Sequence, residues 1–302
     1  MKTNIVLHIT TFCNYSCSYC DVLKNNKQLS KQNIESILSF IKDNKNNISN
    51  FKFFGGEPLS SWNNIKYIID NSRKDIGNNY EIVTNATLLN DNIGLYFKKY
   101  FSKIFFSIDT ENIFDYQGII SFINKHKLKD KLYFNLVINP GKEEESLSQF
   151  YKLYYSGFRL FNILPVYFTK NWKRENLENL SQMMKEILNL SLKDNNLELF
   201  GFQKEKGEES KLSYNTFFIN IDSKIYFSDI VSTNFGYKLK EKLYLGNVKI
   251  FNLEDFKNID FEKQKNEIKL LKEEINFKVK GQKELYKIMD YFSTYLNKKN
   301  AK

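Results

Sequence analysis

All three cysteines of this chain fall within residues 13–20, CNYSCSYC, in the spacing Cys-x3-Cys-x2-Cys. Three thiols cannot all pair within one chain, and thiols packed this closely point to metal or redox chemistry. A tetrahedral zinc site needs a fourth ligand. The chain has two histidines, and the nearer, His8, lies five residues before Cys13 on an expected strand, poorly placed to complete such a site. Three thiolates without a fourth suit a [4Fe–4S] cluster that keeps one iron open to an outside ligand. Cys13, Cys17 and Cys20 are then the metal ligands. Three unrelated buried cysteines would not be expected to share one window of eight residues.

The rest of the chain is long enough to enclose such a site. Its 302 residues, 42% hydrophobic, fit one large α/β domain or a domain with a small appendage. No apolar run approaches the roughly 18 residues of a membrane span. The opening MKTNIVLHITTF lacks a signal-peptide core and cleavage site. The expectation is a cytoplasmic protein with no membrane partner. The net charge of +10 comes from lysines scattered among 35 acidic residues, which suits solvated lysine faces better than a nucleic-acid surface. Nucleic acid is not an expected partner.

Strand-like segments begin near Asn4, Phe51, Tyr80, Lys103, Leu132 and Arg159. Between them lie amphipathic stretches. Ser30 is an expected N-cap, followed by Ile34, Ile37, Leu38 and Ile41 at helical spacing. Residues 62–73, 114–127 and 142–157 are further expected helices, the last stopped by Gly157. Strands alternating with helices imply a parallel sheet, and six units fit a partial (β/α)6 TIM-like barrel. Active sites of such barrels sit at the C-terminal ends of the strands. The cysteine loop, Gly55–Pro58, Asn85 and Ser107 all fall there.

After residue 170 the rhythm changes. Residues 175–192 read as a helix whose Met183 and Met184 pack in the core. Residues 204–211 form a charged loop, and 214–230 form a hairpin turning at Asp222-Ser223. The tail from about 253 has helical spacing and is expected to cover the barrel mouth. The division expected is 1–197 for the barrel core and 198–302 for a small α+β extension.

CNYSCSYC resembles the cysteine signature of radical S-adenosylmethionine (radical SAM) enzymes, with Tyr19 at the aromatic position. FKFFGGEPLSS resembles their Gly-Gly-Glu-Pro segment, which implies that Gly55, Gly56, Glu57 and Pro58 meet the methionine amino group. EIVTNATLLN and SIDT are similar to the next two strand ends of radical SAM peptide maturases, with Ala86 and Thr110 standing for glycines. The resemblance makes Tyr19, Asn85 and Ser107 cofactor contacts as well. It departs from the family in having no arginine between 74 and 158, so the grip on the SAM carboxylate is not assigned. The hairpin and LGN at 245–247 resemble the SPASM or twitch extension of those maturases. Asp222 and Tyr226 match it, but Ser228 stands where a cysteine would be. The extension is expected to keep its architecture without auxiliary clusters.

The resemblance implies a [4Fe–4S] cluster, S-adenosyl-L-methionine, an electron donor such as flavodoxin or ferredoxin, and a peptide or protein substrate. The reaction begins with a 5′-deoxyadenosyl radical that abstracts hydrogen from carbon. No leader-binding domain is expected ahead of a cysteine motif that starts at residue 13. A separate partner protein, or an exposed strand edge in the C-terminal region, would capture the peptide instead. Two alternatives stay open: modification of a nucleoside or small metabolite, and a non-catalytic iron–sulfur scaffold or sensor. No catalytic residue is named by the sequence.

Overall fold

A computed structural model describes residues 3–200, 216–234, 236–253 and 260–299. The charged loop expected at 204–211 lies outside the described residues. Six parallel strands run in chain order: β1 Thr3–Thr10, β2 Ile48–Gly55, β3 Tyr80–Thr84, β4 Phe101–Ile108, β5 Leu132–Ile138 and β6 Leu160–Pro165. Crossover helices join them: α1 Lys31–Asn44, α2 Trp62–Ile76, α3 Asp91–Tyr100, α4 Tyr116–His126 and α5 Glu143–Tyr155. α6 Arg174–Lys193 then leads to a short strand, β7 Glu198–Phe200, parallel to β6.

Local chemistry accounts for the boundaries. Ser30 Oγ accepts the N–H of Asn33 at 3.2 Å, and Ile34, Ile37, Phe40 and Ile41 of α1 are buried. Helix α3 was not expected; Asn90 caps it through Ile93 N–H at 3.1 Å.

The C-terminal part continues the same sheet. β8 Thr216–Ile219 pairs in parallel with β1, and β9 Lys224–Tyr226 folds back on it as the expected hairpin. Asn220 Oδ1 accepts N–H groups of Asp222 and Lys224, and Ser223 takes a positive φ of 61° to close the turn. β10 Tyr244–Asn247 pairs with β9, giving the order β10-β9-β8-β1-β2-β3-β4-β5-β6-β7.

Alternate strand residues such as Ile5, Phe53, Ile82, Phe106, Phe134 and Ile163 join one core with the helices. With the helices on one face, the sheet curls and leaves an inner face that carries Val6, Lys52, Phe105, Asn135 and Phe218. Two tail helices follow, α7 Phe261–Lys278 and α8 Gln282–Lys299. Ile268 and Leu271 of α7 pack with Val6, Phe218 and Tyr226, covering part of the inner face. α8 instead packs beside α6, with Leu285, Phe292 and Leu296 in the helix-side core. Among the described residues, no helix is long and apolar enough to cross a membrane.

Candidate cluster and cofactor site

The cysteine loop leaves the C-terminal end of β1 and is bound at once to the Gly-Gly-Glu-Pro turn. Gly56 N–H donates to Thr10 O at 2.9 Å and Glu57 N–H to Phe12 O at 2.7 Å. A Cβ on Gly55 would lie 2.2 Å from Thr10 O, and one on Gly56 would lie 2.1 Å from Phe12 O. Gly55 also holds φ at +148°. The two glycines thus let one backbone lie directly on the other. Glu57 is buried, and its carboxylate accepts Leu59 N–H at 2.9 Å, Thr84 Oγ1 at 2.6 Å and Asn85 N–H at 2.8 Å. Burial pushes this carboxyl up, against the three hydrogen bonds. Its side chain ties the turn to β3, so the groups the turn has left for a ligand are backbone ones. Pro58 is buried and opens a short helical turn. Asn85 Nδ2 reaches Asn14 Oδ1 of the cysteine loop at 2.9 Å, and Ala86 takes φ +62° where the resemblance has glycine.

The turn after β4 clamps the other side of the loop. Tyr19 OH donates to Asp109 Oδ2 at 2.7 Å, and Ser18 N–H donates to Glu111 Oε2 at 2.7 Å. Asn112 Nδ2 lies 3.2 Å from Cys17 Sγ. From the segment after β6, Thr169 Oγ1 donates to Tyr19 O at 2.9 Å and Lys170 Nζ to Ser18 Oγ at 2.7 Å. The C-terminal part grips the loop's exit: Leu23 N–H donates to Ser232 O at 2.9 Å and Asn234 N–H to Asp21 O at 3.0 Å.

The three thiols are free and half-buried. Cys13 Sγ accepts Tyr15 N–H at 3.4 Å. Burial pushes both the Cys13 and Cys17 thiols up; Tyr15 N–H opposes this at Cys13, as do the Asn112 amide and Tyr19 hydroxyl at Cys17. Among the described residues, no three His, Cys, Asp or Glu side chains converge on a single metal ion. The thiols offer three soft ligands on one loop, with no fourth brought to them among the described residues. These donors suit a [4Fe–4S] cluster.

The inner face supplies polar groups beside this loop. Asn162 Nδ2 donates to Asn135 Oδ1 at 3.2 Å, and Asn135 Nδ2 lies 3.5 Å from Ser107 Oγ. Lys52 Nζ pairs with Glu81 at 2.9 Å and lies 4.8 Å from the centre of the Phe105 ring. Asp229, next to Ser228, was not singled out in the sequence. Its side chain reaches solvent, yet protein packs around it and raises its carboxyl, with the Lys52 ammonium pulling the other way. Only the acidic residue beside the missing cysteine could have flagged it. Ser228 accepts Ile230 N–H at 3.3 Å, capping a short turn. His8 takes no part in the cysteine site: it is buried beside Phe54 and Phe218, and desolvation lowers it to about 4.

Residues 7–132 match the radical SAM superfamily. Over 128 residues the chain is 30% identical to the radical SAM cyclopropyl synthase TigE of Paramaledivibacter caminithermalis, spanning 36% of this chain and 27% of that protein. Over 116 residues it is 34% identical to an uncharacterized protein of Methanocaldococcus jannaschii, spanning 37% of this chain and 40% of that one. The matches thus cover well under half of either relative. Among solved structures, anSMEcpe with bound AdoMet and the Kp18Cys peptide superposes with a TM-score of 0.67 at 15% identity, over 89% of this chain and 83% of that one. Streptococcus suis SuiB bound to the precursor peptide SuiA gives 0.60 at 16% identity, over 86% and 65%. The curled sheet with its helices outside is therefore the TIM-like partial barrel of these proteins. Sequence match and architecture point the same way: residues 7–132 match the radical SAM superfamily, and the chain has the fold of these solved structures.

Proposed function

We propose that the chain is a radical SAM enzyme that holds one [4Fe–4S] cluster on Cys13, Cys17 and Cys20 and modifies a peptide or protein. The observation that carries this reading is the set of three thiols on one loop, clamped from both sides at the strand ends, with no fourth protein ligand among the described residues. When bound, the cluster supplies the electron that cleaves S-adenosylmethionine and so yields a hydrogen-abstracting 5′-deoxyadenosyl radical.

The chain's own residues do the positioning. Gly55 and Gly56 bring their backbone against the cysteine loop, where it meets the methionine end of the cofactor. Glu57 and Pro58 brace that backbone, Asn85 ties it to the loop, and Tyr19 fixes the loop's far end. Ser107, backed by Asn135, offers its hydroxyl to the cofactor from the inner face. On this proposal Asp229, in the field of the Lys52 ammonium, is assigned the role of proton acceptor for a bound substrate. The inner-face aromatic groups keep water from the reacting carbon. Free thiols suit a reducing cytoplasm, and a flavodoxin or ferredoxin is the proposed donor.

The peptide assignment rests on the architecture shared with anSMEcpe and SuiB, whose structures hold peptides. It also rests on β10, which ends the sheet and offers an edge for strand addition.

The test is anoxic reconstitution followed by iron and sulfide analysis, electron paramagnetic resonance with and without SAM, and assay of 5′-deoxyadenosine. About four irons per chain and a SAM-dependent spectral change are expected. A loaded cluster that neither responds to SAM nor yields 5′-deoxyadenosine would leave a scaffold or sensor. Turnover stimulated by small metabolites and by no peptide would move the substrate to that class.

A further inference from the structure

Asn112 sets a side-chain N–H donor against one sulfur of the cysteine loop. Its Nδ2 lies 3.2 Å from Cys17 Sγ and 3.0 and 2.9 Å from the two oxygens of Asp109. All three neighbours are acceptors, so the amide orientation is dictated: a flipped Asn112 would set its oxygen against a carboxylate and a sulfur. Asp109 is itself buried and immobilised, accepting Tyr19 OH at 2.7 Å, Glu111 N–H at 2.7 Å and Asn112 N–H at 2.9 Å. The carboxylate is thus an anchor that holds the amide on the sulfur.

An N–H aimed at a ligand sulfur is worth more to the reduced cluster than to the oxidised one, because the added electron increases the negative charge on sulfur. Hydrogen bonds to the sulfurs are among the levers that set the potential of such clusters. We propose that Asn112 is a positioning residue that raises the reduction potential of the cluster through its hydrogen bond to Cys17, easing one-electron reduction by a flavodoxin- or ferredoxin-class donor. The inference rests on the cluster reading proposed above. The step moves one electron from the donor to the cluster and makes or breaks no bond to Asn112.

The test is a potentiometric titration of the anoxically reconstituted full chain, without SAM, followed by the paramagnetic signal of the reduced cluster. Asn112→Ala and Asn112→Leu both remove the donor, the second at similar volume. Either should lower the equilibrium constant for reduction about tenfold, a negative shift of about 59 mV for one electron. Thr169→Val is the neutral control: it frees Tyr19 O from a clamp without touching a sulfur, and should leave the potential in place. An unchanged potential in a loaded Asn112 variant would overturn the proposal. So would an equal shift in Thr169→Val, which would make loop position the cause. Failure of both Asn112 variants to hold a cluster would reassign the residue to loop assembly and overturn it as well. A wild-type chain that takes up no cluster would sink the proposed function itself, an outcome distinct from these.

Discussion

The backbone N–H of Asn85 donates to Oε2 of Glu57 at 2.8 Å, so the end of β3 is fastened to the turn on which the cysteine loop lies. The other oxygen takes Leu59 N–H and the Thr84 hydroxyl. An amide in place of this carboxylate must point an N–H at one of three donors. Glu57→Gln should therefore cost about 1–3 kcal/mol, since a buried polar group loses its partner. It should also shed iron more easily to a chelator. Urea midpoints and chelator kinetics check this, and an unchanged midpoint would deny Glu57 its bracing role.

Gly56→Ala presses a methyl group onto Phe12 O. Backbone cannot yield as a side-chain tip can, so a loss of about 1–3 kcal/mol is expected from overpacking. The displaced loop should retain less than half the wild-type iron. Full iron with unchanged stability would mean that the two backbones separate freely.

His8 links stability to acid. Its folded value is depressed to about 4 from 6.5, so below 6.5 the unfolded chain binds a proton that the folded chain refuses. Stability then falls as the pH drops from about 6.5 toward 4. The loss between pH 7 and pH 5 should be about 2 kcal/mol. His8→Gln, neutral throughout, should flatten that part of the profile. Denaturant titrations of both proteins at the two pH values make the comparison, and parallel profiles would exclude His8 as the source.

Asp229→Asn should leave iron content and substrate-free cleavage of SAM as in the wild type while lowering product formation about 100-fold, the usual scale for losing a positioned proton acceptor. Ser228→Ala beside it should leave iron content unchanged, because a hydroxyl is a poor ligand for cluster iron. Loss of the cluster in Asp229→Asn would place the carboxylate in the cysteine site's support instead.

The barrel was legible because its signals are local. The starts of β1 to β6 follow the strand pattern closely, with Phe51 against Ile48 as the largest disagreement. Ser30 acts as the expected helix start and Gly157 as the expected stop. Helix α3 escaped because it spans ten residues, with Asn and Gly in its opening turns. The hairpin was recognised, but not its seat: β8 pairs in parallel with β1, a partnership between segments remote in the chain that no local pattern encodes. The same limit hid Asn112 on Cys17 and Lys52 near Asp229. Each pairing depends on how the sheet curls, which hydrophobic periodicity does not specify. The cysteines were legible because one short loop carries all three.

The hold of Asn234 on Asp21 spans 213 residues of chain. During synthesis the thiols emerge ahead of the segment that closes their exit. Until then β1 lacks its β8 neighbour and the loop lacks Ser232 and Asn234. The order of manufacture thus leaves the thiol cradle unfinished until the chain has passed residue 234.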